Sequence, residues 1–146
     1  MKSHLKLTIA IMIISGIGAI SAQAQTGSSQ AIKANVPFAF TVGEKTLPAG
    51  TYTVRILNPT SDRKALQIRS EDGRASAIIQ TSGVNAPSAD NAKLVFRRYG
   101  ERYFFAQAQM AGEPMSLAAT RTRAERATQR AIKRGEAASV VAIVAE

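Results

Sequence analysis

The residues that could do chemistry in this chain are few and widely spaced. Ser61-Asp62-Arg63-Lys64 has the S-x-x-K spacing, in which a lysine amine sits near a serine nucleophile. That chemistry needs the serine at a helix start and further partner motifs. No SDN or KTG occurs elsewhere, and the preceding Asn58-Pro59-Thr60 is turn-forming, so the run reads as a solvated turn. Glu71, Asp72 and Asp90 are carboxylates in polar segments. Two carboxylates could serve glycoside hydrolysis or bind calcium, which makes a carboxylate-dependent glycan-active enzyme the enzymatic alternative. Their spacing matches no calcium loop, and isolated turn carboxylates are ordinarily solvated. Asn58-Pro59-Thr60 has the outline of a glycosylation acceptor, but proline in the middle position excludes it.

What is missing narrows the chemistry further. The chain has no cysteine and no tryptophan, and its single histidine is His4. Without cysteine there is no disulfide, thiol nucleophile or thiolate metal site. Without a histidine in the working domain, the usual general base near neutral pH and the commonest metal ligand are gone. Ser–His–Asp and Cys–His arrangements are then impossible. The expectation is a non-enzymatic protein with no cofactor and no metal.

His4 lies in a segment patterned as a secretory signal peptide. Lys2 and Lys6 make the start basic, Leu7 to Ile20 is apolar, and Ser21-Ala22-Gln23-Ala24 carries the two alanines of an A-x-A exit. Cleavage is predicted between Ala24 and Gln25. The alternative is an uncleaved anchor. A spanning helix wants about 20 apolar residues, whereas this run is shorter and contains Gly16 and Gly18. Without cysteine there is no lipobox and no lipoprotein anchor, and no later segment is long and apolar enough to span a bilayer. Cleavage would remove His4, Lys2 and Lys6, leaving 17 Lys and Arg against 10 Asp and Glu. The predicted location is exported, periplasmic or secreted.

The remaining chain reads as a short flexible leader, 25–31, and a single β-rich domain, 32–146. Ile32, Ala34, Val36, Phe38, Phe40 and Val42 alternate with other residues, the period of a half-buried strand. Pro37 cannot donate to a ladder, which places this strand at an edge or a bulge. Strands are predicted at 51–57, 65–70, 75–81, 93–99 and 102–110, with Glu71-Asp72-Gly73 and Tyr99-Gly100-Glu101 as hairpin turns. The segment 82–92 is the longest polar loop. Ser139 to Ala145 is apolar on both faces and reads as a final strand buried in the sheet. Six or seven strands at this spacing predict an antiparallel sandwich or partly open barrel.

One helix is expected near the C-terminus. Thr122 and Glu125 fit a capping box, a helix follows to about Arg134, and Gly135 suits its end. Arg121, Arg123, Arg126, Arg130, Lys133 and Arg134 crowd this stretch, and Glu125 alone opposes them. A basic surface attracts anionic partners. For an exported protein, envelope polymers or lipid headgroups suit better than nucleic acid. The plainer reading is a solvated helix docked by Ala124, Ala127, Ala131 and Ile132, a face too weakly apolar for deep membrane insertion. Two further surfaces have the same double reading. Tyr99 and Tyr103 with Arg97, Arg98 and Arg102 form either ordinary core plus a charged face or a ligand platform. The terminal strand either closes its own sheet or pairs with another chain, as in an assembly module.

The stretch Phe40-Thr41-Val42-Gly43-Glu44-Lys45-Thr46-Leu47-Pro48-Ala49-Gly50-Thr51-Tyr52 resembles a group of small exported bacterial proteins with an F-x-V-G-x-x-x-L-P-A-G-x-Y opening. Lys93-Leu94-Val95-Phe96-Arg97-Arg98-Tyr99-Gly100-Glu101-Arg102-Tyr103-Phe104 is similar to their central hairpin, and Thr122 and Glu125 to their C-terminal S/T-x-x-E. Gln109 and Met110 stand where members often carry a tryptophan. The resemblance implies export and β architecture, and no particular activity.

Overall fold

The computed structural model describes residues 31–132 and 138–146. The predicted signal peptide, its Ala24–Gln25 cleavage point, most of the 25–31 leader, and Lys133, Arg134 and Gly135 lie outside the described residues.

The described chain is mainly β, with ten strands and one short helix. They are β1 (Ala31–Val36), β2 (Phe40–Val42), β3 (Lys45–Leu47), β4 (Gly50–Ile56), β5 (Lys64–Ser70), β6 (Ser76–Asn85), β7 (Lys93–Tyr99), β8 (Arg102–Gln109), β9 (Met115–Ala119), α1 (Arg123–Ala131) and β10 (Ser139–Val144). One unclosed sheet contains them all. The path β1-β4-β5-β6-β9-β8 continues through β7 to β10, while β2 and β3 branch from the start of β8. Every pairing is antiparallel except that of β2 with β8. The two ends of the path approach each other, and the Glu146 amide donates to the Lys33 carbonyl at 3.0 Å.

The expected count of six or seven strands is too low, for three physical reasons. The alternating run 32–42 is two strands, because Pro37 has no N–H to continue the ladder. The chain leaves β4's side at Val36 and re-enters as β2 against β8. The turn at Gly43, with φ +62°, brings back a short strand, β3, that pairs only with β2. Finally, β9 follows Gly112 and Pro114 in an alanine-containing stretch without β-branched residues. Its pairing with β6 also draws Ser82–Asn85 out of the expected loop and into a strand.

The core is the inner face of this sheet. Tyr52, Val54, Leu66, Ile68 and Phe96 are fully enclosed. Phe96 is central, meeting Phe38, Phe40 and Phe105 edge-on at 5.2, 5.1 and 6.0 Å, a favoured aromatic geometry. The aromatic hairpin β7–β8 does centre the core, but through only part of its aromatic set. Phe96 and Phe105 face inward, whereas Tyr99 and Phe104 pack edge-on outside the main cluster. Tyr103 stacks on Phe38 at 3.8 Å.

The final strand differs from its expected place. β10 pairs with β7 alone and forms an end of the sheet, with Val140 69% and Val144 57% exposed. Its residues alternate in burial, and Ile143, with Ala145 just beyond the strand, packs against the core. An apolar sequence on both faces therefore does not require burial on both faces here.

Candidate functional site

Helix α1 is positioned by one buried carboxylate. Thr122 is its N-cap, accepting the Glu125 amide at 3.1 Å, as the spacing predicts. The other half of the capping box is not made: the Glu125 side chain turns away from the cap and enters the space above β7. There it pairs with Arg97, whose Nε and Nη2 donate to its two oxygens, the latter at 3.1 Å. The Tyr99 hydroxyl donates to Glu125 Oε1 at 3.0 Å. Arg121 approaches the same oxygen at 3.9 Å. Glu125 is 2% exposed. A buried carboxylate is tolerated only when its oxygens are satisfied, and here a fork of guanidinium donors and a phenol do so.

The opposite strand adds a second tie, Arg102 Nη1 to Thr128 Oγ1 at 3.0 Å. Glu125 and Thr128 lie on one face at helical spacing and dock α1, and Ile132, just past the helix, is half-buried. The expected docking by alanines is thus overturned: Ala124, Ala127 and Ala131 are exposed, since polar bonds to β7 and β8 set the helix rotation. The helix ends at Ala131, where Ile132 takes an extended backbone at φ −65° and ψ 131°; the expected end at Arg134 and Gly135 lies outside the described residues.

That rotation fixes what α1 shows to solvent. Arg123, Arg126 and Arg130 share the face turned away from Glu125, and all three are exposed. No acid pairs with any of them among the described residues. Arg121 is half-exposed beside Glu125. Lys133 and Arg134 fall outside the described residues.

The arginines of the hairpin platform are internally engaged. Arg97 holds Glu125, Arg102 holds Thr128, and Arg98 donates to the Gly100 carbonyl at 2.7 Å while lying 5.6 Å from the Tyr103 ring. Sequence spacing placed these cations together but could not show that Glu125 lies across from them. A lone acid in a basic helix, with Arg and Tyr on a neighbouring strand, was the available signal.

Of the three candidate carboxylates, Glu71 and Asp72 are neighbours and Asp90 lies apart. Glu71 pairs with Lys33 at 2.8 Å. Asp72 accepts the Ser70 hydroxyl at 2.6 Å and the Arg74 amide at 3.0 Å. The Ser70 bond first, then the Arg74 amide, holds its carboxyl below the ordinary value of 3.8, the opposite direction from that of a general acid. Both line an open depression of about 630 Å³ with Pro48, Tyr52 and Arg74; Asp90 is exposed in another loop. Ser61 and Lys64 line a separate cleft of about 440 Å³ with Met110 and Met115. No cluster of metal-ligating side chains occurs among the described residues, and no helix there is long and apolar enough to cross a membrane. Comparison with protein families, characterised proteins and experimentally determined structures finds no match.

Proposed function

We propose that this is an exported, non-enzymatic binding protein of the bacterial envelope that contacts anionic envelope polymers through helix α1. The observation that carries the reading is the orientation of the helix. Its one acid is consumed by Arg97 and Tyr99, so Arg123, Arg126 and Arg130 form an outward cationic face with no counter-charge among the described residues. Such a face attracts polyanions at low ionic strength and releases them as salt screens it. The sheet then serves as a partly open barrel that holds the helix at a fixed angle. The signal-peptide pattern of residues 1–24 supplies the compartment.

The test uses the protein as released by the exporting cell. It is expected to sediment with isolated anionic envelope polymer at low salt and to stay in solution at high salt. The variant R123Q/R126Q/R130Q is expected to lose sedimentation while keeping its circular dichroism. Binding to anionic lipid vesicles with none to the polymer would redirect the reading to headgroups. Binding to neither removes it.

A second reading rests on β10. Its Val140 and Val144 are exposed on a strand paired on one side only along its length, the kind of edge that recruits another strand. A second copy pairing there would dimerise the protein. Light scattering showing a monomer at high concentration would remove this reading, while a dimer abolished by V140K would support it.

A further inference from the structure

The outward face of β4 and β5 carries a second concentration of cations, remote in sequence from α1. The register places Lys33 opposite Thr53 and Thr53 opposite Arg69. Arg55 lies two residues along β4 from Thr53, hence on the same face, and opposite Gln67. Thr53 is therefore flanked by three cationic residues from three adjacent strands. Directly opposed side chains sit about 4.5–5.5 Å apart at Cβ, so these groups can converge on one small ligand.

Only one of the three cations is compensated. Glu71 bonds Lys33 at 2.8 Å, whereas no acid pairs with Arg55 or Arg69 among the described residues. Like charges on one sheet face oppose folding, and an anion placed between them relieves that repulsion. Arg69 is also given a place to lie. Gly73 turns with φ +72°, and a Cβ there would come within 3.1 Å of Arg69 Nη2. The guanidinium therefore lies beside the 71–74 turn. Thr53, Arg55, Gln67 and Arg69 line a depression of about 230 Å³ with Ser70 and Glu71.

We propose that this depression is an oxyanion site for a phosphate or sulfate group, whether free or carried on a polymer. The Arg55 and Arg69 guanidiniums supply planar forks of donors. The Thr53 hydroxyl and Gln67 amide donate to the oxygens left over. The volume suits one compact group, not a long apolar ligand. This site is separate from the α1 face and does not depend on the function proposed for it.

The probe is inorganic phosphate, titrated into the isotopically labelled protein by NMR, with chloride at matched ionic strength as the control. Saturable shifts are expected at Thr53, Arg55, Gln67 and Arg69. Each of R55Q and R69Q should weaken binding roughly tenfold. T53V, which keeps every charge, should weaken it by a few-fold. R123Q/R126Q/R130Q should leave it unchanged, so loss of the α1 reading would not touch this one. A phosphomonoester on a soluble polysaccharide would compete with phosphate if the group is carried on a polymer. Shifts reproduced by chloride, unaltered in the folded R55Q/R69Q variant or insensitive to T53V would overturn the proposal.

Discussion

Replacing Glu125 by glutamine keeps its shape and removes its charge, leaving the Arg97 guanidinium beside a neutral amide where water is scarce. Breaking a buried pair in this way costs about 3 kcal/mol, to be read as a shift in urea denaturation. Removing the whole polar set in R97M/Y99F/E125L should recover much of that loss, since an apolar replacement of similar volume leaves no stranded charge. T122A removes the cap alone and should cost about 1 kcal/mol. Tyr99 adds a pH dependence. Burial first, then its bond to Glu125, raises the phenol above its ordinary 10.0, and burial raises Tyr52 likewise. A raised value in the folded state means stability is fully present below about pH 10 and is lost as pH climbs through the folded values. Denaturation midpoints should therefore fall above about pH 10, less steeply in Y99F. The sequence revealed the Thr122–Glu125 spacing but not the fate of the Glu125 carboxylate. A capping glutamate and a glutamate buried against a strand have the same local pattern, and only long-range packing distinguishes them.

At the scale of elements, local chemistry was most legible where side chains alternate and turns demand special backbones. β4, β5, β7 and β8 stand close to where period-two alternation placed them, with the Gly73 turn leading from β5 into β6 and the Gly100 turn joining β7 to β8. β9 was hidden because Met115, Ser116 and three following small or apolar residues lack strong β-formers; its pairing with β6 and β8 holds it. The β10 sequence suggested two buried faces, but the partner needed to cover its outer face is not supplied by the described chain. Phe96 joins these elements because aromatic rings from β2 and β8 and from the Phe38 connection all meet it. F96A should cost about 4 kcal/mol in the same denaturation measurement, more than an exposed apolar change such as I78A, given that Ile78 is 62% exposed.

For the whole molecule, the sequence carried charge more clearly than binding geometry. The basic excess and the 1–24 pattern suggested an exported polycation, whereas the face presented by the arginines depends on a helix rotation set by Arg97, Tyr99 and Arg102 from strands earlier in the chain. N-terminal sequencing of the released protein should begin at Gln25; an N-terminus at Met1 in a membrane fraction would favour the anchor. The central claim is that the outward arginines of α1 bind an anionic envelope polymer, and its most direct measurement is the salt dependence of that binding for the natural chain and R123Q/R126Q/R130Q. The account predicts binding that weakens steeply between low and physiological salt in the natural chain, and that is nearly absent at every salt in the folded variant. Equal binding by the two chains, or affinity indifferent to salt, would contradict it.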